Sequence, residues 1–364
     1  MHIGIEASRA NKPNKTGVEW YAYHIIQELK KITALDSNSW SLYTQTKLKN
    51  GLEISPKNWE EKRLNWPFPY GWTQIRLSYE MMHVPSHVLW LPGSTLPRVI
   101  AKKTVVTVHD IGFHRYPAVY KKRQIAIHEF AMREIKERDV RVVTVSEFSK
   151  KEIVDVYGID PEKIFVTYNG VDHALYFPQR TEKQNYFLCI GRLEKKKNIL
   201  NLIRAFNMYK KAETGFDGTK HKLYLVGIPG NGFEEISQAI HASPYAKDII
   251  EKGYILESEL PHMIRAATAL VHPAFYEGFG IPPVQAMACG IPVISSNIPV
   301  LSEILGDAAL YHDPVDIQTL AEHMIRIRQD ADLVEQLRIV GIERASRYTW
   351  GETAKKTLVA LTQW

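Results

Sequence analysis

A chain of 364 residues that is 45% hydrophobic holds enough apolar material for two ordinary domains with real cores. Plentiful aromatic residues and the lack of any long polar low-complexity tract exclude wholesale disorder. Two cysteines in apolar settings, Cys189 and Cys289, exclude a disulfide framework or a cysteine-built zinc site. The net charge of +6 suits an anionic partner, whether nucleic acid, membrane surface or phosphate-bearing substrate, and equally suits a solvated basic surface.

In chain order, short apolar runs at 2–6, 40–44, 88–91, 105–108, 142–145 and 165–168 read as one set of strands. A second set follows at 187–190, 223–226, 250–254, 269–272, 293–295 and 309–311. Helical periodicity falls at 18–31, 121–137, 150–157, 199–211, 260–266, 317–328 and 333–347. The first strand begins at once, which argues against a signal peptide, and no run approaches the roughly 18 apolar residues that span a bilayer. The cytoplasm is the expected location.

Such alternation predicts an α/β chain with two Rossmann-like, doubly wound parallel sheets. The polar stretch 172–185, which contains Pro178, separates an N-terminal domain over 1–178 from a C-terminal domain over 185–348. The segment 350–364 reads as a helix that returns to the first domain. Two such halves would leave a cleft between them, and ligands of these sheets bind beyond the carboxyl ends of strands. Gly17, His109, Ser146, Gly191, Gly227 and Glu277 all follow strands and are therefore expected around that crevice.

The densest functional signal is EGFGIPPVQAMACGIPVISS, starting at Glu277. Gly278, Phe279, Gly280 and Ile281 form a turn where glycines leave backbone donors open to a ligand. Pro282 and Pro283 fit the first turn of a helix, where a missing N–H costs nothing. A helix start beside a free carboxylate suits a ligand carrying both phosphate and hydroxyl groups, as a nucleotide sugar does. Glu277 could accept bonds from two hydroxyls of a sugar ring, or serve only as an acid near a helix start. Gln285, within the helix, could reach a nucleotide ribose.

Other candidates flank the same crevice. Arg192 and Lys197, in Gly191-Arg-Leu-Glu-Lys-Lys-Lys-Asn, could point at a diphosphate, whereas Lys195 and Lys196 are expected to face solvent. Gly17 would let a phosphate approach the first helix, although a lone glycine there is commonly structural. His109, closing Val-Val-Thr-Val-His-Asp, could bond a sugar hydroxyl or hold a loop. Asp330-Ala-Asp332 imitates a metal-binding pair but stands where helix-capping acids belong. The aromatic stretch 66–72 could stack on acceptor sugars, enter a bilayer interface or pack under a loop. Lys121, Lys122 and Arg123 with Tyr116 and Tyr120 could touch anionic lipid, or form a solvated helix face.

TGVEWYAYHII, VVTVHDIGF, VSEFSKKEI, VTYNGVD, IGRLEKKKNI and the EGFGIPP segment, closed by the TW helix, occur in one order across the whole chain. With these, the chain resembles the retaining glycosyltransferases of family 4, which have the two-domain GT-B fold. The resemblance implies that Arg192 and Lys197 hold the donor diphosphate and that Glu277 binds the donor sugar's hydroxyls. It puts Gly17 beside the phosphates and His109 near the transferred sugar. Gln285 departs from the family pattern, which has Glu there to bond the ribose, so the ribose contact loses charge assistance.

The resemblance further implies sugar transfer from a nucleotide diphosphate donor with retention, with no cofactor and no essential metal. The style of VVTVHDIGF and GRLEKKKN is most similar to bacterial mannosyltransferases of surface polysaccharide synthesis, which points to GDP-mannose as donor. The implied acceptor is a saccharide or lipid-linked oligosaccharide. The aromatic and basic stretches add an expected peripheral contact at the inner face of the cell membrane, and no nucleic acid partner is expected.

Rival readings need features that are missing or different. A Rossmann oxidoreductase needs Gly-x-Gly-x-x-Gly after a first strand, and Gly227-Ile-Pro-Gly-Asn-Gly232 lacks that spacing. A nucleic-acid-binding protein needs its basic residues on one face, whereas here they scatter over many helices. A two-domain sugar-nucleotide epimerase is the nearest enzymatic alternative, and it would turn over donor without an acceptor.

Overall fold

The computed structural model of the protein describes residues 1–213 and 220–364. It holds two compact units. The first comprises residues 1–114, 122–170 and 350–364; the second comprises 115–121 and 171–349. The chain therefore passes between units at Gly170–Val171, and the polar stretch 172–185 lies inside the second unit rather than between the two. A short excursion at 115–121, embedded in the first half of the sequence, also belongs to the second unit.

The first unit is built on seven parallel strands: β1 His2–Glu6, β2 Ser39–Thr44, β3 Trp59–Arg63, β4 Val88–Leu91, β5 Lys103–Thr107, β6 Arg141–Thr144 and β7 Ile164–Val166. Their order in the sheet is β3-β2-β1-β4-β5-β6-β7, a doubly wound arrangement. β1, β4 and β5 are buried nearly throughout because both sheet faces are covered, and β4 is wholly apolar. β3 departs from the expectation. Its sequence WEEKR carries no apolar run, and it survives as an edge strand through Trp59, whose ring stacks on Trp40 at 4.7 Å. Charge on an edge strand also discourages pairing with another chain.

In this unit the helix Trp350–Thr362 packs against the helix Gly17–Ile32. Trp350 stacks on His24 at 4.8 Å, and Thr353 donates a 2.6 Å hydrogen bond to the Tyr168 carbonyl.

The second unit has six parallel strands: β8 Tyr186–Ile190, β9 Lys222–Val226, β10 Ile249–Gly253, β11 Ala269–His272, β12 Val293–Ser296 and β13 Leu310–His312. Their order is β10-β9-β8-β11-β12-β13, so the winding reverses between β8 and β11. Phe187, Leu223, Leu225, Val271 and Ile294 pack with Phe206, Ile236 and Met324 into one apolar core. A crevice at the carboxyl ends of β8 and β11 is where a sheet of this winding binds its ligands. No helix among the described residues is long and apolar enough to cross a membrane.

Candidate functional site

The two loops leaving β8 and β9 are laced together by backbone hydrogen bonds. Gly191 N–H donates to Val226 O at 2.9 Å, Leu193 N–H to Ile228 O at 3.0 Å, and Gly230 N–H to Leu193 O at 2.9 Å. Such an approach requires glycine. A Cβ on Gly227, whose φ is +144°, would lie 1.9 Å from the Gly191 carbonyl oxygen. The crossing gives the Arg192 side chain a platform, because its stem lies over Gly230.

A single tight turn at Lys195–Lys197 follows, ended by Asn198 in the left-handed region at φ +57°. Asn198 is buried, and its side-chain amide donates to Pro273 O at 2.9 Å and Pro314 O at 2.7 Å. It thereby fixes the loops after β8, β11 and β13 to one another. Phe275 N–H donates to Lys196 O at 3.0 Å, a further tie between the first two of those loops.

These ties bring Lys197 to Glu277. The Lys197 ammonium pairs with Oε1 of Glu277, and their side chains are 16% and 10% exposed. The same Oε1 lies 3.0 Å from Nε2 of His272, the last residue of β11. Burial alone would raise the Glu277 carboxyl, but Lys197 and His272 overcome it and hold the group well below the usual carboxylate range. Burial likewise lowers His272, so its ring stays neutral and donates from Nε2 to the carboxylate. Oε2 of Glu277 makes no hydrogen bond to any described residue.

Arg192, Lys197 and His272 line one shallow recess with Cys189, Gly191 and Pro273. Arg192 is exposed and forms no ion pair among the described residues. Lys195 and Lys196 behave otherwise than expected. Each is partly buried, Lys195 paired with Glu235 at 2.5 Å and Lys196 standing 6.0 Å from the Tyr120 ring centre.

Beyond Glu277, Gly278 and Phe279 lead to Gly280, whose φ of +95° and 2.6 Å approach to Leu301 by any added Cβ demand glycine. Ile281 then starts the helix Ile281–Ala288, with Pro282 and Pro283 in its first turn and no side-chain cap. Gln285 is buried in that helix, and its amide finds no partner among the described residues.

Gly17 and His109 belong to the first unit. Gly17 is exposed, and a Cβ there would meet nothing within 4 Å, so the fold itself does not require glycine. Thr16, before it, donates through its amide to Glu19 at 3.2 Å and through its hydroxyl at 2.5 Å. The His109 ring meets the edge of Tyr21 at 4.7 Å, and its Nε2 is buried without a partner among the described residues. Burial pushes its pKa down to about 4, against the pull of Pro92 and Asp110, so at neutral pH it is uncharged.

Asp330 is a helix cap: its carboxylate accepts from Leu333 N–H at 2.9 Å. The aromatic stretch is divided, with Trp72 buried and donating to Leu64 O, and Phe68 and Tyr70 exposed. Sequence reasoning passed over His272 and Asn198. Asn198 contacts residues far along the chain, and His272 offered only its position at a strand end, five residues before Glu277.

The family model described as "Glycosyl transferases group 1" matches residues 176–344, and that described as "Glycosyltransferase Family 4" matches residues 16–175. The O-antigen chain mannosyltransferase B of Escherichia coli is 29% identical over 78% of this chain and 76% of its own length. The O-antigen chain mannosyltransferase RfbU of Salmonella typhimurium is 28% identical over 91% of this chain and 92% of its own. Among solved structures, WaaG, a glycosyltransferase involved in lipopolysaccharide biosynthesis, superposes with a TM-score of 0.77 at 13% identity, covering 100% of both chains. Anabaena HepE in complex with UDP and glucose gives 0.76 at 16% identity, over 100% of this chain and 99% of that one. At such identities the structural likeness speaks for the fold alone, and that fold is GT-B.

Proposed function

The chain belongs to the glycosyltransferases of group 1 and family 4, and on that premise we propose that it transfers mannose from GDP-mannose to a saccharide or lipid-linked acceptor. The names of its relatives in Escherichia coli and Salmonella typhimurium support mannose and O-antigen synthesis. The observation that carries the reading is the convergence of Arg192, Lys197 and the Glu277 carboxylate where the second sheet reverses its winding.

In this reading Arg192 and Lys197 take the diphosphate, with the start of the helix Ile281–Ala288 adding its dipole. As the bond between the sugar's anomeric carbon and the diphosphate breaks, negative charge grows on the leaving oxygen, and two fixed cations stabilise it most at that moment. The acceptor hydroxyl oxygen forms the new bond on the same face, and its proton passes to the departing phosphate oxygen. This yields retention and needs no essential metal, because the side chains supply the positive charge. Glu277 orients the sugar through Oε2, His109 serves as a neutral hydrogen-bonding group near it, and Gln285 bonds the ribose without charge assistance. Gly17 leaves room beside the phosphates. Exposed Phe68 and Tyr70 in the first unit support peripheral contact with the inner face of a membrane.

A panel of nucleotide sugars in a thermal-shift assay tests the donor, since a ligand specific to the folded state raises apparent stability. GDP-mannose is expected to give the largest shift. Preference for another donor would refute the mannose assignment, consumption of donor without acceptor would favour epimerisation, and loss of transfer in a chelator would refute metal independence.

A further inference from the structure

We propose that His272 is a positioning residue for sugar transfer, holding the Glu277 carboxylate so that Oε1 is anchored inside the protein and Oε2 faces the donor sugar. This rests on the reading of Glu277 as the group that binds donor hydroxyls.

The geometry divides the carboxylate into two unlike oxygens. Oε1 receives both Lys197 and His272, whereas Oε2 has no partner among the described residues. Those two donors are not equivalent. Lys197 sits on a turn beside Arg192 in the recess that would receive the diphosphate, and a flexible ammonium is drawn toward phosphate oxygens when they arrive. His272 has no such freedom. It is 1% exposed, its backbone is paired in the sheet with Ser295, and its carbonyl accepts from Ser296 Oγ at 3.5 Å. A strand-borne ring therefore keeps Glu277 oriented while the lysine shares itself with the ligand.

Neutrality matters to this role. Burial keeps the imidazole uncharged, so it directs the carboxylate through one hydrogen bond without cancelling the charge that makes Oε2 a strong acceptor. A second cation on Oε1, added to Lys197, would compete further with the sugar hydroxyls for the same charge. Indirect supports of this kind, behind a group that touches the ligand, typically matter by about 10–100-fold.

The test compares His272→Gln, whose amide can reach the place of Nε2, with His272→Asn and His272→Leu, which cannot. The Asn and Leu variants are expected to lose about 10–100-fold in kcat/KM for the donor. The acid limb of their pH profile should move up, because Glu277 has lost a donor that stabilises its ionised form. His272→Gln is expected to recover most of that loss. Affinity for GDP and UDP, which lack the sugar, should stay at the wild-type level in all three.

A wild-type pH profile and turnover in the Asn variant would overturn the proposal. So would a Gln variant as impaired as Asn with GDP and UDP binding weakened in both, which would mark a structural role. Glu277→Gln separates the two levels of inference: full activity in that variant sinks the reading of Glu277 and this proposal with it. An inactive Glu277→Gln beside a wild-type-like Asn variant sinks this proposal alone. Thermal melts of each variant show whether it is folded.

Discussion

The helices Gly17–Ile32 and Ile281–Ala288, one in each unit, begin at or just after a glycine and satisfy their first turns in opposite ways. The helix Gly17–Ile32 caps itself: Thr16 donates twice to Glu19, and Lys12 covers the other oxygen of that acid at 2.9 Å. The helix Ile281–Ala288 has no side-chain cap, and the acid near it, Glu277, is held by Lys197 and His272 instead. In the first unit a carboxylate of the protein already answers the partial positive charge of the helix start. In the second, Lys197 stands near a turn that has no side-chain cap, and the nearby acid is bound to other groups. A glycine before a helix is thus not informative by itself; the placement of the nearest acid is.

The largest effect expected from that contrast is at Glu277. Glu277→Gln should lower transfer by about 100-fold or more, since a charged acceptor aimed at the reacting sugar becomes a neutral one. Its counterpart Glu19→Gln should leave donor kinetics as they are and cost only stability. Equal kinetic losses in the two variants would erase the distinction between the starts.

Second comes Gly227→Ala. The added methyl carbon would meet the Gly191 carbonyl at 1.9 Å in a backbone region that favours glycine. The strain should cost about 2 kcal/mol or more, a fall in Tm of about 4–8 °C. It should also weaken donor binding, because the Arg192 platform moves with the loop. An unchanged Tm would show that the two loops do not cross as described.

Third, Arg192→Ala should raise the donor KM by about 10-fold, the value of one charge-assisted contact. Lys12→Ala, which removes an exposed cation at the other helix start, should change the donor KM little, and its loss to stability should be about 0–1 kcal/mol. Added salt should weaken donor binding in wild type more than in the Arg192 variant.

The sequence made much of this legible, and the exceptions share a cause. Buried parallel strands such as β8 and β11 show up as apolar runs because both faces are covered. β3 does not, because an edge strand of two acids followed by two bases is held by one tryptophan stack and by pairing with β2. The helix Phe233–Ala242 was likewise missed: Gly232 ends the preceding loop in the left-handed region, and only Ile236 and Ile240 of the helix are buried. At the site, Glu277, Gly280 and Arg192 stood out because local spacing places them at loop tips. Asn198 acts through contacts dozens of residues away, which no spacing reveals, and His272 acts on Glu277 only five residues on, but from the buried end of a strand that reads as plain core.

At neutral pH the smallest expected effect belongs to the first unit, and it shows only in acid. His109 has a pKa of about 4 in the folded chain against 6.5 for an ordinary histidine, and burial is the main cause. Between those values the unfolded chain binds a proton that the folded chain refuses, so stability is full above about 6.5 and falls as pH drops toward about 4. His109→Gln removes that linkage while keeping a polar group of similar reach. Melting temperatures of wild type and variant should therefore run parallel above about 6.5 and converge or cross below it, with wild type losing more. Curves that stay parallel down to the acid end would mean that His109 charges as freely as an exposed ring. It could not then serve as the neutral hydrogen-bonding group proposed for it.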